Sequence, residues 1–159
     1  MQKARWSGAA PGLIRATGSI IMGGELDMGQ TFGLGVLVAA AAFCLVTTWT
    51  AGVSPATFAE RLGLAIANPG GRNEVRAQYA GCFFAVAVAC MAGLAGAMPR
   101  GAAYIVLAVV FGGLIMGRIV SFGLDGGTTG YTQTIRTLFA IDAAGCGLAT
   151  VALFVDRGS

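Results

Sequence analysis

Three long stretches of this chain carry no charge at all: Met28 to Ala59, Ala77 to Pro99 and Gly101 to Gly117. A helix needs about 20 residues to span ~30 Å of hydrocarbon, and the first two stretches reach that length as they stand. The third reaches it when Arg118 extends back to the headgroups and the helix runs on through Phe122. A fourth stretch, Ile135 to Val155, is apolar except for Arg136 and Asp142. The charged fraction is 11%, where about 25% is usual for soluble chains. The expected fold is all-α: one four-helix transmembrane bundle, with helices near Thr31–Thr50, Val75–Ala97, Ala102–Phe122 and Thr132–Val155.

Residues 1–30 read as an N-terminal extension, flexible or lying on the membrane surface, ahead of a transmembrane domain over residues 31–155. Lys3 and Arg5 resemble the basic start of a signal peptide. Arg15 interrupts the apolar stretch, however, and no small-x-small site follows, so a cleaved signal is not expected. Met22 and Met28 stand as alternative starts. Between the first two spans, Ser54-Pro55 has the form of an N-cap and first-turn proline. A short amphipathic helix is expected over Ala56–Ala67, with Phe58, Leu62, Ala65 and Ile66 on one face and Glu60 and Arg61 pointing away. It would lie in the interface and be broken by Asn68-Pro69-Gly70-Gly71. The second span would open at Asn73-Glu74, and the turn Asp125 to Gly130 would lead into the fourth.

The net charge of +3 comes from basic residues scattered over loop ends, so no nucleic-acid partner is expected,. The chain has no His, which removes the commonest metal ligand and general base. Cys44, Cys82, Cys90 and Cys146 all lie in apolar runs without C-x-x-C spacing, and they read as small buried hydrophobes. No metal site and no cofactor is expected, and catalysis is the weakest class of function.

In lipid, apolar burial does not drive helix association, so small residues must bring the helices together. Ala77, Gly81, Ala85, Ala89, Gly93 and Ala97 recur every fourth residue in the second span and read as an internal seam.

Orientation follows from the basic residues. Lys3, Arg5, Arg15, Arg100 and Arg157 lie on the side of the termini. Arg61 and Arg72 lie in the opposite loop, with Arg76, Arg118 and Arg136 at helix ends. Loop residues alone place both termini in the cytoplasm.

The informative residues are those that are costly to insert. Asp142 lies deep in the fourth span, where a carboxylate costs at least ~2.5 kcal/mol. Arg118 and Arg76 are its expected partners, with Tyr79 or Gln78 adding hydrogen bonds. The full expected polar cluster is Asn73, Glu74, Arg76, Tyr79, Arg118, Ser121, Asp125 and Asp142, all toward one side of the membrane.

At these residues a resemblance appears. The run Asn73-Glu74-Val75-Arg76-Ala77-Gln78-Tyr79-Ala80-Gly81 resembles the signature of a bacterial family of small four-helix membrane proteins known only as a domain of unknown function. Gly117-Arg118-Ile119-Val120-Ser121 with Asp125-Gly126 looks like its second signature. Asp142 stands where that family prefers Glu. The likeness covers roughly Thr31 to Val155 and is similar in layout to DoxX-like proteins. It implies a multi-pass protein of the bacterial inner membrane and carries no activity. Two functional readings follow. The first is an accessory or assembly subunit of a membrane complex, with the cluster as a structural Arg/Asp network. The second is a binding protein for a small amphipathic ligand, a quinone or lipid, in a one-sided polar pocket.

Overall fold

The computed structural model describes residues 27–125 and 131–156 of the chain. Its helix boundaries follow from local chemistry. Helix α1 (Met28–Val53) gives way at Ser54-Pro55 to a short helix, α2 (Pro55–Arg61), with the proline in the first turn where no N–H is needed,. Gly63, left-handed at φ 80, follows the end of α2. Asn68 caps α3 (Pro69–Leu94), its Oδ1 accepting from the Gly71 N–H at 3.0 Å. Gly96, at φ 72, turns the chain toward Pro99 and α4 (Arg100–Leu124). Thr132 Oγ1 accepts from the Ile135 N–H at 3.3 Å and caps α5 (Gln133–Val155). Helices α1, α3, α4 and α5 are long and apolar enough to cross a membrane. The protein is a four-helix transmembrane bundle with one short helix beside it.

Two local expectations change. The short helix stops at Arg61, because the left-handed Gly63 cannot continue it, so Ala65 and Ile66 do not share a helical face with Phe58. Asn68-Pro69-Gly70-Gly71 begins the second span instead of lying ahead of it, since Asn-Pro is an N-cap and first-turn pair,. Asn73-Glu74 therefore sit inside α3. The expected N-terminal surface stretch and most of the Gly-rich turn fall on residues 1–26 and 126–130, outside the described residues.

In the ring of four spans α1 packs between α3 and α5, and α4 closes the opposite corner, with α1 and α4 barely touching across the diagonal. Antiparallel connections give the bundle two ends. The base holds Met28, Leu94, Arg100 and Val155, and the mouth holds Val53, Pro69, Leu124 and Gln133. Helix α2 lies at the mouth against α1 and α3. The buried core belongs to the base half: Leu37, Ala41 and Cys44 meet Phe83, Ala87 and Cys90, with Tyr104, Leu107 and Ala149 completing it.

Glycines allow this close approach. A Cβ on Gly33 would overlap the Tyr104 hydroxyl, one on Gly145 would lie 3.0 Å from the Phe111 ring, and one on Gly93 would lie 3.0 Å from Ala103 Cβ. The expected seam in α3 is overturned. Ala77, Gly81 and Ala85 are exposed, Ala89 is half-buried, only Gly93 is buried, and Ala97 is exposed beyond the end of α3. A four-residue repeat drifts about 40° per step on an α-helix, so the row winds from the outer surface into the core.

The same substitution at two glycines tests this packing. Gly33→Leu should destabilise the bundle by about 1–3 kcal/mol, as overfilled cores do. Gly81→Leu should change stability by no more than about 0.5 kcal/mol. Thermal unfolding of both variants in detergent makes the comparison.

Candidate functional site

Asp142 lies ~14 Å along α5 from Gln133, near the middle of the helix,. Its side chain is 3% exposed, so the carboxylate sits at depth away from lipid. The antiparallel pairing of α4 and α5 brings Arg118 to the same level, and the Arg118 Nε–H donates to Asp142 Oδ2 at 2.7 Å. Such a charge-assisted bond offsets part of the cost of placing either ion in hydrocarbon. A guanidinium carries five N–H donors. Among the described residues Arg118 makes no other protein hydrogen bond.

The pair lines a cavity of about 530 Å³ in the mouth half, enclosed by all four spans and bordered by α2. Its walls are mainly apolar, with Phe43, Phe83, Leu114 and Leu138 prominent. Thr47, Thr50, Tyr79, Ser121 and Thr134 add hydroxyl groups, and Arg61 adds a second cation from α2. Gly113 and Gly117 border this open space, since a Cβ at either would meet nothing within 4 Å.

The other members of the expected cluster do not converge on Asp142. Ser121 Oγ–H donates to Asp125 Oδ2 at 2.6 Å, and the Tyr131 hydroxyl lies 3.0 Å from Ser121 Oγ, so these three form a separate group near the end of α4. Arg76, an expected partner of Asp142, instead donates through Nε to the Gly52 carbonyl at 3.0 Å, satisfying an orphan acceptor at the C-terminus of α1,. Gln78 is bound to Glu74 at 3.0 Å on the exposed face of α3. Asn73 is exposed and makes no side-chain hydrogen bond among the described residues. Tyr79 reaches the cavity wall, its ring centroid 5.0 Å from that of Phe58.

Sequence reasoning missed three features. Arg61, expected to point away, lines the cavity. Thr47 and Thr50 were hidden in an uncharged span. At the base, the Tyr104 hydroxyl donates to Asp156 Oδ2 at 3.0 Å and Arg100 Nη1 lies 3.5 Å from Asp156 Oδ1. The four-residue spacing of Arg100 and Tyr104, which places both on one face of α4, was the available signal.

These features define a multi-pass membrane protein closed at one end and opened at the other by a chamber holding an ion pair. The chain belongs to a family: the profile described as Domain of unknown function (DUF4345) matches residues 34–153. No curated protein and no solved structure matches the chain.

The pair itself is testable. Arg118→Gln and Asp142→Asn should each lower stability by about 1–3 kcal/mol, less than the ~3–5 typical of soluble interiors, because the unfolded-in-membrane state also finds partners. The double variant should cost less than the two losses together, since the second change removes a charge already stranded. Equilibrium unfolding of the three variants in detergent measures the coupling.

Proposed function

We propose that the chain is a membrane-embedded binding protein for a small amphipathic molecule, of the size of a quinone or a lipid headgroup, held in the chamber at the mouth. The observation that carries this reading is Arg118, tied by one N–H to Asp142 in a mostly apolar chamber, with donors left for a guest. Small-molecule sites are usually cavities of roughly 300–1,000 Å³ with apolar walls and a few placed polar groups, and this chamber fits that description. The apolar body would lie against Phe43, Phe83 and Leu138, with a carbonyl or other acceptor on Arg118 and hydrogen bonds to Thr47 or Tyr79. Because Asp142 neutralises Arg118, a neutral head with strong acceptors suits the site better than a dianion.

The setting belongs to the same proposal. The resemblance to a bacterial family supports the inner membrane, and the loop arginines support cytoplasmic termini, which would turn the mouth to the opposite side. The likeness in layout to DoxX-like proteins supports the bundle and adds nothing about the guest.

A second reading, an accessory or assembly subunit, is favoured by Ala77, Gly81 and Ala85, whose small side chains lie on the outside of α3 where another helix could approach,.

Purification in mild detergent, with mass spectrometry of what travels with the protein, tests the proposal. A stoichiometric small molecule should accompany the natural chain and be lost from Arg118→Gln. Gly117→Phe, which places a ring in open space, should also expel it while leaving thermal stability nearly unchanged. If a stoichiometric protein accompanies the chain and no small molecule does, the subunit reading replaces this one.

A further inference from the structure

On the outer side of the bundle, near the mouth, α4 and α5 leave a second groove of about 350 Å³. Ile119, Phe122 and Phe139 form its apolar walls and are exposed, so the groove faces lipid and not the core. Among the described residues its polar members are Arg118, Arg136 and Tyr131, with no acidic residue. Two of these three already have partners, Arg118 in its ion pair with Asp142 and Tyr131 with Ser121 and Asp125, so the charge the groove can offer a guest is that of Arg136. Arg136 is exposed and makes no side-chain hydrogen bond or ion pair among the described residues.

Depth gives these cations a meaning. Arg136 lies ~5 Å inside the mouth end of α5 and Arg118 ~9 Å inside that of α4,. By helix length these levels lie a little inside the hydrocarbon edge, within reach of the headgroups for a long arginine side chain. A basic pocket between spans at this level, with apolar walls running deeper, matches an anionic phospholipid in charge, polarity and depth. A zwitterionic lipid would bring its own cation against Arg136.

We propose that the α4/α5 groove is a binding site for an anionic phospholipid, with the phosphate against Arg136, Arg118 beneath it, and an acyl chain between Phe122 and Phe139. The groove lies on the outer side of the pair that lines the central chamber, and it stands whether or not the chamber holds a guest. Arg118 lines both spaces. A lipid in the groove therefore touches the residue that holds Asp142, and can bias the chamber from outside.

Native mass spectrometry of the full chain, titrated with phosphatidylglycerol and phosphatidylcholine of identical acyl chains, tests this. Phosphatidylglycerol should bind preferentially, and Arg136→Gln should weaken it about fivefold, as expected for one arginine at an anionic surface. Arg72→Gln, which removes a charge at the same end but outside the groove, should leave the preference intact. Excess inorganic phosphate should fail to displace the lipid; displacement would mean a plain anion site and overturn the assignment. Equal binding of the two lipids, or a preference untouched by Arg136→Gln, would also overturn it. So would a protein, instead of a lipid, released from the natural chain by Arg136→Gln.

Discussion

A carboxylate in the middle of a membrane span needs a partner away from lipid, and Asp142 has Arg118,. This requirement ties α4 to α5 at a fixed level, because sliding one helix along the other would strand both charges in hydrocarbon. The contact between Gly145 and the Phe111 ring keeps the two helices close nearer the base. A buried ion pair is weak evidence for stability, since well-packed apolar residues often do as well or better. Its value here is the choice of register and the presence of a charged pair in a chamber whose walls are mainly apolar.

The division of the bundle into a solid half and an open half follows from the absence of a hydrophobic driving force in lipid. Helices adhere where small residues admit a neighbour. Gly33 against Tyr104, Gly93 against Ala103 and Gly145 against Phe111 make the base dense. Gly113 and Gly117 have no neighbour to admit, and the chamber opens beside them. The clamp of Arg100, Tyr104 and Asp156 adds polar closure at the base. Local stability in proteins is uneven, and sites that admit ligands come from the less stable part. The mouth half, with fewer buried contacts, is placed to play that part.

Much of the fold was legible because hydrocarbon imposes a length and a polarity that uncharged runs report directly. The four spans, Ser54-Pro55 and the Thr132 region are examples. The pairing of Arg118 with Asp142 was legible for the same reason: few partners exist for a deep acid. What stayed hidden depended on angle and not on length. Arg61 reads as a solvated charge until the position of α2 is known. Arg76 reads as a partner for Asp142 until it is seen at the end of α1, where an orphan carbonyl takes its N–H. Asn68-Pro69 is ambiguous in principle, because the same dipeptide ends one element and begins another.

The two four-residue rows on α3 show how angle decides. Gly81, Ala85, Ala89 and Gly93 pass in order from exposed to buried, the drift expected of uniform α-helix,. Val75, Tyr79, Phe83 and Ala87 share that spacing, yet Val75, Phe83 and Ala87 are buried and Tyr79 is half-buried. The difference lies in Arg76–Gly81, which forms a π-helical turn. Its i→i+5 bonding puts more residues into each turn, so each residue rotates less and the four-residue drift is taken out over this stretch. The wide turn thus keeps Tyr79 in line with the core residue Phe83, where its ring meets Phe58 and joins the chamber wall. It also leaves Arg76 directed at Gly52, and the Ala80 carbonyl free to accept from Thr48 Oγ1 at 3.2 Å. These two bonds fasten the turn to α1. An irregularity that would be costly in open lipid is held by its neighbour, and it places Tyr79 on the wall of the chamber that the Arg118–Asp142 pair also lines.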